Sequence, residues 1–268
     1  MESKNRNTWI VIIGVLLIAC CCIAALTAGA VAWLADRYGG TWEKPLDMGS
    51  LQRERVEERF DVGAAPDLEI TNFAGAVTIR AGEEGTIGVV ATKRASSQSR
   101  LNRIDVDMRA SSSGVNIATR RLFDGGNAYV ELEIVVPANS SVRVDTGAGE
   151  VEVRGVSGEI DIHSGAGQVD VRDASGRVQV DLGAGQILYD GTPQGDCRFQ
   201  TGVGEVVLQL PENPNVRVDV GTGIGAVDVD FDVDGSVSTR SVKGVIGDGR
   251  QGSIFAHTGA GAVRVESR

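Results

Sequence analysis

Apolar and polar residues alternate after each pair of glycines in the C-terminal half of the chain. Clear examples of such runs are Glu150–Val153, Gln168–Val171, Ala226–Val229 and Ala262–Val265. An apolar residue at every second position is the period of a β-strand with one buried face, whereas a helix would show a period of 3.6 residues. The pattern therefore predicts an all-β domain made of short strands.

The glycine pairs recur at a nearly constant interval. A unit of this size holds two strands of about five residues and two glycine corners, and self-similar units of this kind stack on one another. The sequence predicts a repeat β-solenoid, similar to a parallel β-helix, with about 18–21 residues per coil. The successive spacings are 18, 18, 19, 21 and 36 residues, with a weaker copy at residues 241–246, and the first glycines of the pairs are Gly147, Gly165, Gly183, Gly202, Gly223 and Gly259.

Alignment of the copies predicts which residues face the core and which face solvent. Two inward columns hold β-branched or other apolar residues: Val142, Ile160, Val178, Cys197 and Val216 in one, and Val144, Ile162, Val180, Phe199 and Val218 in the other. In stacked coils the outward residues form rows about 4.8 Å apart, where like charges repel. These rows are Arg143, Asp161, Gln179, Arg198 and Arg217, and beside them Asp145, His163, Asp181, Gln200 and Asp219.

Two kinds of ligand are disfavoured by the pattern and the charge. The segment Gly221–Ala226 matches a dinucleotide-binding glycine motif, but such a motif needs a helix after the turn, and a strand is predicted here. The formal net charge of −10 at pH 7 would repel nucleic acid. We therefore expect neither a nucleotide nor a nucleic acid as partner.

The N-terminal segment has a different composition from the repeats. Residues 9–34 carry no charge, and as a helix they would cross a hydrocarbon core of about 30 Å. The sequence predicts a short tail at 1–8, a transmembrane anchor at 9–35, a charged stalk or linker at 36–59 and the β-solenoid at 60–268. The protein is thus expected to be embedded in the cell membrane through a single span, with the solenoid outside the cytoplasm.

The N-terminal segment allows alternatives both for its cleavage and for its orientation in the membrane. Leu17–Cys20 resembles a bacterial lipobox, and Ala28–Ala30 offers a secretory cleavage site. Positive charges after the span, among them Arg37 and Lys44, favour the opposite orientation by the positive-inside rule.

A set of spaced residues at the start of the solenoid resembles a known family. The set continues into the Gly-Ala-Gly coils and covers about 200 residues, and it is similar to the bacterial "putative adhesin" domain, a family of unknown function often found behind one membrane helix. The resemblance implies a surface-exposed solenoid in a bacterial envelope and carries over no catalytic or binding residues. The residues are Phe60, Val62, Leu68, Ile70, Asn72, Gly75, Val77, Ile79, Val130, Leu132, Ile134 and Pro137.

Candidate chemistry is sparse in the outward rows. His163 and His257 are the two histidines and fall in one row, and Asp145, His163 and Asp181 offer oxygen and nitrogen ligands if they converge; a solvated row of side chains is the alternative. Cys197 falls in an inward column and is predicted to be a buried apolar residue.

Four aspartates predict a calcium site. Asp230, Asp232 and Asp234 match positions 1, 3 and 5 of a calcium loop, but position 12 is Ser241 instead of glutamate. The candidate ligands are Asp228, Asp230, Asp232 and Asp234, and Ca²⁺ is the cofactor that they would hold. Alternation explains the same run without metal, since the residues between the aspartates are Val229, Phe231 and Val233.

Three classes of function follow from these patterns. A non-enzymatic surface binding or adhesin-like module fits best, because a solenoid face offers an extended surface to a cell-envelope glycan or protein. An accessory or sensor component of an envelope-stress system is the alternative. A glycan-active solenoid enzyme is the third, although no convergent acid and base are evident.

Overall fold

The alternating pattern of the sequence folds into one sheet of fifteen strands. The computed structural model describes residues 51–111 and 113–268, and its strands pair into a single sheet. The predicted all-β fold is confirmed. In chain order the elements are β1 (Gln52–Asp61), β2 (Asp67–Asn72), β3 (Val77–Gly82), β4 (Thr86–Ala95), α1 (Gln98–Leu101), β5 (Ile104–Ala110), β6 (Gly114–Arg121), β7 (Ala128–Pro137), β8 (Ser141–Arg154), β9 (Ile160–Ala174), β10 (Val178–Gly191), β11 (Gly195–Leu210), β12 (Val216–Val229), β13 (Asp234–Val237), β14 (Ser241–Ile246) and β15 (Gly252–Ser267).

The Gly-x-Gly segments are bends inside long strands. Each long strand continues through its glycine pair, so that one coil is a bent strand with a first and a second half, followed by a short turn. The second glycine of a pair adopts a backbone conformation that side chains disfavour, as Gly167 does at φ 136°. The first glycine passes close to the preceding coil, because a Cβ on Gly165 would lie 2.4 Å from the carbonyl oxygen of Gly147.

The middle of the stack follows the order of the sequence. Strands β8, β9, β10 and β11 pair in parallel, each with its neighbour in the chain. The register places Val142 beside Ile160 and Ile160 beside Val178, as the repeat predicts. The solenoid-like repeat is confirmed over these coils.

Strands are interleaved at both ends of the stack. At the N-terminal end, β2 and β3 form one coil that lies between β8 and the coil made by β6 and β7. At the C-terminal end, the last strand, β15, inserts in parallel between β11 and β12. The stack is then closed by antiparallel strands, with β4 and β5 at one end and β14 and β13 at the other.

The insertion of β15 corrects the predicted columns. Cys197 was aligned with Val216, but Cys197 pairs with Ile254, and Ile254 in turn pairs with Val218. The prediction for Val216 and Val218 is therefore wrong in two ways. Their register relative to β11 is shifted by two residues, and β15 lies between the two strands. The sequence period gave no sign of the insertion, because β12 and β15 carry the same bend.

The core lies inside the bend, between the two halves of every coil. Inward residues of both halves are fully buried, for example Val144 and Val153. The largest buried rings, Tyr189 and Phe199, pack with their centroids 4.9 Å apart. Just before each bend a further inward row is mostly polar, and Thr258 Oγ1 in this row donates to the carbonyl oxygen of Gly204 in the neighbouring coil at 3.1 Å.

The N-terminal boundary of the sheet differs from the prediction. Residues 52–59 were assigned to a charged stalk, but they form most of β1, which pairs with β4 in antiparallel register. Charged side chains such as Arg53 and Glu58 suit this edge strand because they discourage pairing with another sheet. The predicted tail, the anchor at 9–35 and the rest of the stalk lie outside the described residues, and within those residues no helix has the length and apolar character needed to span a membrane.

Candidate functional site: the Phe255 cluster

The inserted strand β15 brings together residues from four strands on the outer face of the first halves. Its outward residue Phe255 lies in register with Arg198 of β11 on one side and with Asp219 of β12 on the other. Asp219 is followed in the same row by Lys243 of β14. We call Arg198, Asp219, Lys243, Phe255 and His257 the Phe255 cluster, and the outer surface of the first halves the ladder face.

Aromatic and guanidinium groups stack at the centre of this cluster. The ring centroids of Phe255 and His257 lie 4.2 Å apart with an interplanar angle of 21°. The Arg198 guanidinium carbon lies 4.5 Å from the centroid of Phe255, which is within the range of a cation–π contact. Arg198 also donates from Nε and Nη2 to the amide oxygen of Gln200, at 3.0 and 2.7 Å. These contacts hold the two rings and the guanidinium group against one another.

A carboxylate fixes the rim of the cluster. Asp219 accepts a hydrogen bond from Lys243 Nζ at 2.8 Å, and its other oxygen lies 3.4 Å from Nε2 of His257. The hydrogen bond from Lys243, with a smaller contribution from His257, lowers the pKa of Asp219, and the same bond raises the pKa of Lys243. Both side chains are thus charged at neutral pH.

A second group on the ladder face contains the predicted histidine row. His163 lies in register between Asp145 and Asp181, as the repeat predicts. Its Nε2 is 3.1 Å from Oδ1 of Asp161 and its Nδ1 is 3.6 Å from Oδ2 of Asp181. Asp145 is instead oriented toward Arg143, at 3.8 Å. The row is a network of polar contacts along the surface.

The predicted calcium ligands lie at the C-terminal end of the stack. Asp228 lies next to the end of β12, opposite Arg264. Asp230 and Asp232 follow that strand, and Asp234 opens β13. All four are exposed, while the apolar residues between them pack against the end of the core. Among the described residues, no three His, Cys, Asp or Glu side chains are grouped so that they could hold a metal ion. The calcium site stays a prediction, and the alternation accounts for the positions of these side chains.

Cys197 occupies the inward position that the repeat predicts. Its side chain is free and buried. Burial raises the pKa of the thiol above its ordinary value. The residue is an apolar part of the core.

Sequence reasoning did not identify the Phe255 cluster. Alternation places Ile254 and Ala256 inward, so that Phe255 and His257 face outward, and an outward aromatic residue was an available signal. The partners of Phe255 could not be deduced, because the repeat places β12 and not β15 beside β11.

The chain is similar to a known family and to solved structures. Residues 65–265 match the sequence model of the family described as Toastrack DUF4097. A "putative cell adhesion protein" from Clostridium sporogenes superposes with a TM-score of 0.50 at 18% identity, covering 80% of this chain and 100% of the other. A "putative adhesin" from Bacteroides fragilis gives a TM-score of 0.41 at 8% identity over 80% of this chain and 97% of the other. A search among curated proteins found no match.

Proposed function

The chain belongs to the Toastrack DUF4097 family, and on that premise we propose that it is a non-enzymatic surface binding module, anchored in the cell membrane through residues 9–35, whose ladder face docks a protein of the cell envelope. The observation that carries the proposal is the Phe255 cluster. It is an outward-facing, partly exposed aromatic and arginine group near the C-terminal end of the ladder face.

The composition of the cluster favours a protein partner. Aromatic residues and arginine are enriched where binding energy concentrates in protein interfaces, and charged residues surround them at the rim. Phe255 and Arg198 supply the centre, and Asp219 with Lys243 supplies the rim. Since these contacts already exist in the free chain, few side chains lose conformational freedom on binding.

The repeat supports the same proposal through its geometry. Parallel strands at a spacing of about 4.8 Å give the ladder face an extended and rigid surface on which outward residues stay in fixed register. The description of the Clostridium sporogenes relative as a putative cell adhesion protein is compatible with this role.

Sedimentation with isolated cell envelopes tests the function. Ser50–Arg268 is a compact unit with its own core and serves as the soluble probe. We expect saturable binding that Phe255→Ser weakens at least about tenfold, since removal of an interface hot spot costs roughly 2 kcal/mol or more. Leu122→Ser is the control, because Leu122 is an exposed apolar side chain that lies beyond the end of β6 and outside the Phe255 cluster. Equal binding by the two variants would contradict the proposal.

Treatment of the envelopes separates the kinds of partner. Digestion of envelope proteins before the assay should abolish binding, and binding that survives digestion would contradict a protein partner and point to a glycan. Protease added to intact protoplasts tests the location: we expect loss of the sheet domain, and protection until lysis would contradict the proposed orientation.

A further inference from the structure

Three arginines stand in one row on the outer face of the second halves. Arg80 of β3 pairs in register with Arg154 of β8, and Arg154 pairs with Arg172 of β9. Their side chains are 61%, 44% and 44% exposed. With adjacent strands about 4.8 Å apart, the row is roughly 10 Å long. We call these residues the arginine row.

The arginine row differs from the rows of the ladder face. There, opposite charges alternate, as where Arg143 stands between Glu69 and Asp161. Like charges in register on neighbouring strands destabilise a sheet. Three successive arginines therefore destabilise the sheet relative to a row in which opposite charges alternate.

Carboxylates in the neighbouring row compensate only part of the charge of the arginine row. Asp170 is buried and accepts two hydrogen bonds from Arg172, at 2.8 and 2.6 Å. Glu152 forms an ion pair with Nε of Arg154 and lies 4.0 Å from Nη2 of Arg80. Three guanidinium groups thus face two carboxylates. The next residue in the row, Asp190, is engaged by Arg268 at 2.6 Å.

The guanidinium groups of the arginine row stay partly open to solvent. Arg154 lies against Glu152 through Nε, and Arg172 donates from Nε and Nη2 to Asp170. Because each of the three side chains is at least 44% exposed, N–H groups of adjacent coils can reach an anion on this face. The carboxylates of the neighbouring row hold the planar groups in place, so that little conformational entropy is lost when an anion binds.

We propose that the arginine row binds a linear polymer of phosphate groups lying along the stack. A guanidinium fork matches the oxygens of a phosphate, and a tetrahedral phosphate can accept N–H groups from two neighbouring coils, whereas a planar carboxylate suits a single fork. At physiological ionic strength charges are screened over about 8 Å, so the acidic charge elsewhere on the chain does not prevent binding at this row. The site lies on the opposite face from the Phe255 cluster and is independent of the proposed protein docking.

Titration of the full-length protein with short-chain polyphosphate and with inorganic phosphate tests the proposal. We expect saturable binding of polyphosphate, weaker binding of inorganic phosphate because it contacts fewer coils, and weakening of both by added salt. Arg154→Gln should weaken polyphosphate binding at least about tenfold through the loss of a charge-assisted fork. Arg80→Gln provides a second variant with few native contacts to lose, should Arg154→Gln impair folding.

The control is Arg264→Gln, which removes an arginine of the same face outside the row, paired with Glu205. Equal loss in Arg264→Gln and Arg80→Gln would overturn the proposal, as would absence of polyphosphate binding by the wild-type chain. Binding to anionic phospholipid vesicles without binding to polyphosphate would overturn it in favour of a lipid headgroup. Arg154→Lys keeps the charge without the fork, and full recovery by lysine would contradict bidentate recognition.

Discussion

The middle coils of the stack and its two ends are assembled differently, although both use the same bent strand. From β8 to β11 every strand pairs with its neighbour in the chain. At the ends, the coil of β2 and β3 and the single strand β15 each lie between strands that are not their sequence neighbours. The repeat thus specifies the shape of a coil but not its place in the stack.

The physical reason is that every coil presents equivalent edges. A parallel strand with a glycine bend can pair with any other such strand in register, so local sequence alone distinguishes poorly between neighbours. At the C-terminal end, the antiparallel strand β14 takes one edge of β12 and leaves its other edge to β15. The final order therefore depends on the closing strands, which do not carry the repeat.

The difference has a functional consequence, because the candidate site lies at the interleaved end. Phe255 and His257 belong to β15, whereas Arg198 and Asp219 belong to the strands on either side. In a stack that followed the chain order, Phe255 would not lie next to Arg198. The insertion therefore forms the Phe255 cluster.

Deletion of a whole strand should give the largest difference in stability between the ends of the stack and its middle coils. Truncation after Gln251 removes β15 and leaves one edge of both β11 and β12 unpaired, and we expect loss of cooperative unfolding because the lost burial exceeds a typical stability of about 5–15 kcal/mol. Deletion of residues 178–196 removes one middle coil and joins Arg177 to Cys197 with the register intact. This shorter chain should fold.

Circular dichroism and thermal melting of the two deletion variants give the readout. A truncated chain that melts like the wild type would show that β15 is not an integral strand. A middle deletion that fails to fold would contradict the independence of the middle coils.

Valine at the second glycine of a bend should destabilise the fold strongly, but less than deletion of β15 does. At Gly167 the φ of 136° and a Cβ position 1.9 Å from the Gly149 oxygen both oppose a side chain, so Gly167→Val should destabilise by about 3 kcal/mol or more. Gly165 lacks the left-handed conformation, and its distance of 2.4 Å predicts about 1–3 kcal/mol. Denaturant unfolding measures both.

The same substitution at the end of the stack sharpens the comparison. Gly225→Val meets similar strain in β12, with φ of 142°, but local opening of the closing strands can relieve it. We expect a smaller global effect than for Gly167→Val. Gly63→Val is the control, since no atom lies within 4 Å of its Cβ, and it should change stability by less than about 0.5 kcal/mol.

The smallest expected effect concerns the ion pair that joins β12 to β14. The pKa of Asp219 is lowered in the fold, so its contribution is present above the ordinary pKa of about 4 and is lost as the pH falls through the lower folded value. Asp219→Asn should lower the melting temperature slightly at pH 6. The loss in the free energy of unfolding should be less than about 1 kcal/mol, because the pair is partly exposed. The melting temperatures of both proteins should converge as the pH is lowered below the ordinary pKa of about 4, and a difference that stays constant would contradict this assignment.

The fold was predictable from the sequence where the chain order and the stack order agree. The columns that contain Val142, Ile160 and Val178 follow from the 18-residue period alone, and the buried Cys197 follows from the same alignment. Val216 was misplaced because a long-range strand insertion leaves no trace in a local pattern. Strand β1 was missed because its charged edge residues mask the alternation.

The candidate site was predictable only in part, for the same reason. Alternation predicts that Phe255 faces outward, whereas its stacking against Arg198 requires the pairing of β15 with β11. The neighbours of His163 in its row, Asp145 and Asp181, were predicted because they lie on the middle coils. Sites formed within sequential coils can be inferred from a repeat, and sites formed by interleaved strands cannot.

Disulfide trapping of β15 tests the central claim most directly. In Ser50–Arg268 with Cys197→Ala, the pair Gln200→Cys and His257→Cys lies in register on adjacent strands, at a Cα separation of about 4.8 Å that a disulfide can span. We predict rapid oxidation of this pair to a cross-linked monomer. The pair Gln200→Cys and Asp219→Cys, which chain-order stacking would place side by side, is separated by β15 and offset by two residues. The two Cα atoms lie about 12 Å apart, so this pair should remain reduced. Cross-linking of the second pair without the first would contradict the insertion of β15 and, with it, the Phe255 cluster.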